Sequence, residues 1–128
     1  MTSLVRPDPV SPEFAGFEVL STGVILLDGA RSIVYANPAA ENLFEISERQ
    51  LVGHSLRTVF GDSPALTAAI GKAVASGAAY TEQELELAAP GKVKLHLNAT
   101  VSPVEMSRAA LLIEFRHIDQ QLKIAREE

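Results

Sequence analysis

The chain has no cysteine. That excludes a thiol nucleophile, a thiolate metal site and a cysteinyl adduct to a chromophore. It also agrees with life in the reducing cytoplasm. Tryptophan is absent too, so a redox flavin would lack one common stacking partner. Positive charge is short: 11 Lys and Arg stand against 16 Asp and Glu, a net charge of −5, which leaves no basic footprint for nucleic acid. No apolar run approaches the ~20 residues of a membrane span. Residues 1–13, MTSLVRPDPVSPE, lack the apolar centre of a signal peptide. There is no internal repeat and no low-complexity tract.

What is present fits one soluble domain. At 128 residues and 47% hydrophobic composition the chain can build its own core without a disulfide or metal. Pro7, Pro9 and Pro12 mark residues 1–12 as an extended, flexible leader. Residues 13–21 read as a short helix with Phe14, Phe17 and Leu20 leaning to one side. Residues 23–28 (GVILLD) and 32–36 (SIVYA) are strands joined by the Asp28-Gly29 turn, a hairpin.

Asn37-Pro38 is a helix start: Asn is a preferred cap, and proline at the first position sacrifices no needed hydrogen bond. Ser47 and Gln50 stand at capping-box spacing, and Gly53 closes that helix. Residues 54–60 suggest a third turn. Ser63-Pro64 begins a longer helix in which Leu66, Ile70 and Val74 predict one apolar face ending at Gly77.

The last third reads as strand. Val93, Leu95, Leu97, Ala99 and Val101 alternate with Lys92, Lys94, His96, Asn98, Thr100 and Ser102. Leu85 and Leu87 alternate with Glu82, Glu84 and Glu86, and Pro90-Gly91 lies in the turn between. Keeping both apolar sets on one face demands that paired residue numbers have an even sum. That register puts the glutamates opposite Lys92, Lys94 and His96. Leu111, Ile113 and Phe115 make the final strand. From Asp119 the chain looks helical, with Ile118, Leu122 and Ala125 on one stripe. Two strands, a helical block and three more strands predict an α+β domain: one five-stranded antiparallel sheet with helices on one face.

This order, with Tyr35-Ala36-Asn37-Pro38-Ala39-Ala40, Leu51-Val52-Gly53-His54-Ser55-Leu56, Tyr80-Thr81 and Ile118-Asp119-Gln120-Gln121-Leu122, resembles the PAS fold. The likeness is to the N-terminal sensory domain of bacterial nitrogen-regulation sensor histidine kinases, the NtrB type, from about Leu20 to Glu128. The resemblance implies a PAS domain over residues 13–118 and the start of an exit signalling helix over 119–128. It implies a homodimer and a downstream kinase region in the same polypeptide. It further implies a response regulator and a PII-type signal protein reached through the full-length kinase, with no nucleic-acid or membrane partner. The family's phospho-acceptor motif, His-Glu before Asn-Pro, is absent, and His54, His96 and His117 do not sit in one. The chain is therefore expected not to be an enzyme itself.

No cofactor is expected. Haem-binding PAS domains carry a histidine on the long helix, and residues 64–77 have none. Flavin photochemistry of the light-sensing PAS type needs the missing cysteine. Glu82, Glu84 and Glu86 read as a solvated strand face rather than acid–base machinery, and the serines have no placed histidine partner. A pocket or a filled core between sheet and long helix would be lined by Leu26, Tyr35, Phe44, Ile70, Leu95, Leu97 and Ile113. Few polar groups converge there, which favours a filled core. Asn37 with Pro38 is expected to cap a helix. Phe14, Phe17, Ile118, Leu122 and Ala125 are the expected dimer or signal-transfer residues. Two functions follow: a sensory and dimerisation module of a kinase for nitrogen assimilation, or a small-molecule-binding PAS sensor attached to another output, a cyclic-dinucleotide enzyme or transcription activator.

Overall fold

The computed structural model describes residues 12–118. The chain opens with a lead-in helix, Pro12–Val19, of the tighter 3₁₀ type. At three residues per turn, side chains three apart eclipse, so Phe14 and Phe17 fall on one line. Such helices seldom last beyond a turn alone, so this one depends on what it packs against.

Strands β1 (Gly23–Leu27) and β2 (Ile33–Ala36) form the expected hairpin. Asp28 builds the turn: its carboxylate accepts from the Ala30 and Ser32 amides at 2.9 and 3.0 Å. Four helices follow: α1 (Pro38–Phe44), α2 (Glu48–Leu51), α3 (Leu56–Phe60) and α4 (Pro64–Ser76). Asn37, Ser47, Ser55 and Ser63 each accept a hydrogen bond from the backbone amide three residues on, and Ser47 with Gln50 forms the full capping box. Helix α4 ends at Gly77 with φ of 70°, a left-handed cap that glycine adopts without a Cβ penalty.

Helix α4 buries the expected Leu66 and Ile70 but not Val74. Leu66, Ala69, Ile70 and Ala73 are buried, while Val74 is 49% exposed. A helix face runs at alternating spacings of three and four, and strict fours drift off it.

Strands β3 (Tyr80–Leu87), β4 (Leu95–Pro103) and β5 (Leu111–His117) complete an antiparallel sheet of order β2-β1-β5-β4-β3. Near the β3–β4 turn the register has the expected even sum, with Leu85 opposite Leu97 and Leu87 opposite Leu95. A bulge between Glu82 and Leu85 shifts it, so Tyr80 faces Val101 and Glu82 faces Ala99. Glu84 sits in the bulge at φ 57°, and its amide donates to the Asn98 side chain at 3.0 Å. Strand pairing starts only at Leu95, and Val93 is 80% exposed. Alternation alone does not show where a ladder begins.

The four α-helices lie against one face of the sheet. There, Ile25, Leu27, Leu97, Ala99, Val101, Ile113 and Phe115 meet Ala40, Phe44, Leu51, Val59, Leu66 and Ile70 in one buried cluster. The lead-in helix lies on the opposite face, over a second cluster.

Candidate functional site

The seven residues expected to line one space divide between the two faces. Phe44, Ile70, Leu97 and Ile113 belong to the inner cluster, with Leu95 packed against it. Leu26 and Tyr35 do not: they pair with each other across β1 and β2 but point to the outer face, where Phe14, Val24 and Ala109 bury them. All five residues of β1 are buried, so the strand carries no apolar–polar alternation to assign its faces. The Phe44 ring stands edge-on to Phe115 at 5.1 Å and 4.7 Å from Phe60. A hollow of about 60 Å³ remains between α3 and α4, beside Leu56, Phe60, Leu66 and Ile70.

A larger cleft, about 660 Å³ and open to solvent, lies at the end of the sheet. Its walls are Leu20 to Gly23, the outer side of α1 at Pro38, Ala39, Asn42 and Leu43, and β5 at Phe115, Arg116 and His117. This cleft had no forewarning in the sequence, since its walls come from three segments with no shared motif.

The outer face owes its cover to contacts distant in sequence. Phe14 is buried there, its ring 5.2 Å from Tyr35, and Phe17 lies 6.2 Å from the same ring. Phe14 thus folds back on its own sheet, which corrects its expected availability to a partner, whereas Phe17 is half-buried. The Tyr35 hydroxyl donates to the Glu18 carboxylate. At the other end of the helix, Glu13 accepts from the Ser107 amide at 3.1 Å and from its hydroxyl. Arg108 lies over the Phe14 ring, 5.7 Å from its centre. Ile118 is half-buried and its amide donates to His96 O at 2.9 Å. Leu122 and Ala125 lie outside the described residues.

Asn37 is fully buried and joins the two sides. Its Oδ1 accepts from Ala40 N, capping α1, and from Val24 N of β1, both at 2.9 Å. Its Nδ2 donates to Phe17 O of the lead-in helix at 3.0 Å and to Thr22 O at 2.9 Å. Two amide donors surround one atom and two carbonyls the other, which fixes the orientation of the carboxamide. The cap was legible from Asn37-Pro38; the three further bonds were not.

The histidines lie apart. His54 is exposed between α2 and α3, His96 is on the outer face 3.8 Å from Glu86, and His117 ends β5. The bulge also divides the acidic row: Glu86 faces His96 and lies 3.8 Å from Lys94, while Glu82 faces Ala99. Lys92 pairs with Glu45 at 3.8 Å. Among the described residues no three His, Asp or Glu side chains gather as a metal site would require.

The PAS fold family matches residues 17–122. The chain belongs to the PAS family. This PAS domain is 35% identical over 107 residues, 83% of its length, to the sensory histidine kinase/phosphatase NtrB of Vibrio alginolyticus. It is 26% identical over 109 residues, 85% of its length, to the protein of the same name from Escherichia coli O157:H7. Both alignments cover 30% of the relative, so the chain spans under a third of these curated proteins. The crystal structure of the PAS domain of nitrogen regulation protein NR(II) from Vibrio parahaemolyticus is matched along 100% of its length and 85% of this chain. Identity there is 33% and the TM-score 0.72. A PAS domain from Colwellia psychrerythraea, 18% identical with a TM-score of 0.70 over 83% of this chain and 93% of its own, shares the fold. Among the described residues no helix is long and apolar enough to cross a membrane.

Proposed function

We propose that this PAS domain is the sensory and dimerisation module of a cytoplasmic two-component histidine kinase that controls nitrogen assimilation. The observation that carries the reading is the match to the whole NR(II) PAS domain at 33% identity. Matches to only the domain-sized 30% of each NtrB relative support it. Phosphate chemistry then belongs to a downstream kinase region, and the response regulator and PII-type protein act through the full-length kinase. The closely packed rings of Phe44, Phe60 and Phe115 favour signalling through domain position over a buried small ligand.

The homodimer would use the outer face. Phe17, Val34 and Leu112 are half-buried there, and Val19 and Leu20 at the end of the lead-in helix are 86% and 42% exposed. Ile118, Leu122 and Ala125 would continue the interface towards the kinase. The test is the reading frame beyond Glu128 with a phosphotransfer assay of its full product. Label passing from ATP to a histidine and then to a response regulator supports the reading. A cyclic-dinucleotide enzyme or DNA-binding activator in that frame overturns it.

A further inference from the structure

We infer that the Asn37 carboxamide is a mechanical coupler, which makes the seating of α1 and the docking of the lead-in helix interdependent across the sheet. An asparagine side chain offers two donors and two acceptor sites. Here all four serve different segments: Ala40 N in α1, Val24 N in β1, Phe17 O in the lead-in helix and Thr22 O in the link to β1. An N-cap needs only the first of these. A serine, as at the other three helix starts, would cap equally well but could not reach the two carbonyls.

The bonds join the two hydrophobic clusters. Ala40 packs in the inner cluster and Val24 in the outer one, and the lead-in helix sits on the outer face alone. Asn37 is buried, so any displacement of α1 must either carry Phe17 O along or leave a buried amide without its acceptor, which is costly. Gly23 lets β1 lie close to α1: a Cβ there would come within 3.3 Å of Ala40 Cα. A change in the inner layer is therefore passed to the helix that carries Phe17 and Val19. This role deepens the signalling function proposed above and rests on it, but the coupling itself is a property of the domain.

The coupling is reciprocal by thermodynamic necessity, and that gives the test. Backbone amide exchange, resolved by NMR, would be measured on the wild-type chain and on Asn37→Asp and Phe14→Ser. Asn37→Asp keeps an acceptor for Ala40 and Val24 but sets a carboxylate oxygen against the Phe17 and Thr22 carbonyls. The expected result is exchange at least about tenfold faster across the lead-in helix with α1 amides near wild type, because Ala40 keeps its acceptor while the link to Phe17 O is cut. Phe14→Ser releases the same helix from its far side, away from Asn37. It should in turn speed exchange of the Ala40 amide, which lies in the inner cluster and which a merely structural cap would leave untouched. If Phe14→Ser frees the helix while Ala40 keeps wild-type protection, the coupling is refuted. Should Asn37→Asp fail to fold, Phe14→Ser decides alone. Either result leaves the kinase assignment to its own phosphotransfer test.

Discussion

On the helical face of the sheet, Ile25, Leu97, Ala99 and Ile113 meet Phe44, Leu66 and Ile70 in a large apolar cluster. On the opposite face, a small cluster around Phe14, Leu26 and Tyr35 is closed by polar bonds from Glu13, Glu18 and Asn37 to partners 94, 17 and 20 residues away. Burial of apolar area is non-directional and tolerates small shifts, whereas hydrogen bonds to specific carbonyls and hydroxyls fix a position. The inner face thus supplies stability. The outer face holds one helix in one place, with a strength that a few bonds can set.

The comparison breaks most simply by truncating one ring on each face. Phe44→Ala removes a ring in contact with two others and should cost about 3–5 kcal/mol, unfolding the whole domain at lower urea. Phe14→Ala should cost at most about 3 kcal/mol, the low end for such a change, because the lead-in helix can detach and leave the sheet standing. Urea melts with exchange of the strand amides would check both. Equal losses, with Phe14→Ala abolishing the inner strands as well, would mean that the faces form one unit.

Tyr35→Phe sharpens the contrast at a single oxygen. It keeps the ring contacts to Phe14 and Phe17 and removes the hydroxyl that donates to Glu18. A loss of roughly 1.5–3 kcal/mol is expected, as for a hydrogen bond to a charged acceptor, concentrated in the lead-in helix. An unchanged melting midpoint would show that the Tyr35 hydroxyl contributes nothing to docking.

The inner face was largely legible in the sequence because its signals are local. Leu97, Ala99 and Val101 alternate with polar neighbours, and Asn37, Ser47 and Ser63 mark helix starts within three residues of what they cap. The outer face was not. Leu26 and Tyr35 read as inner residues but lie on the outer face, because β1 is buried on both faces and so has no polar row. Phe14 reads as a dimer or signal-transfer residue because nothing near it in sequence announces Tyr35 or Arg108. The bulge at Glu84, which divides the acidic row, depends on Asn98, fourteen residues away. Long-range polar contacts leave no periodicity to read.

The smallest expected effect concerns the other tyrosine, at the rim of the helical face. Lys72 of α4 donates to the Tyr80 hydroxyl at 3.1 Å and also lies 4.7 Å from the centre of its ring. The Tyr80 hydrogen bond, then the phenol's charge, then Glu82 hold the Lys72 ammonium above its ordinary pKa. A raised folded-state pKa means that the contribution to stability is complete below the ordinary lysine range and fades as pH rises through the folded value. Solvent screens this exposed pair, so no measurable change in melting is expected from breaking it. Tyr80→Phe keeps the ring under the ammonium but removes the oxygen, and should bring the Lys72 titration, followed by NMR at Cε, back towards its ordinary value. Glu82→Gln should move it in the same direction by less, since Glu82 is the weaker influence. The contrast with Tyr35→Phe is the decisive part: two tyrosines lose the same atom, and only the buried one should lower the urea midpoint. A larger loss from Tyr80→Phe than from Tyr35→Phe would mean that the rim of α4, and not the outer seam, is where polar bonds hold this domain in place.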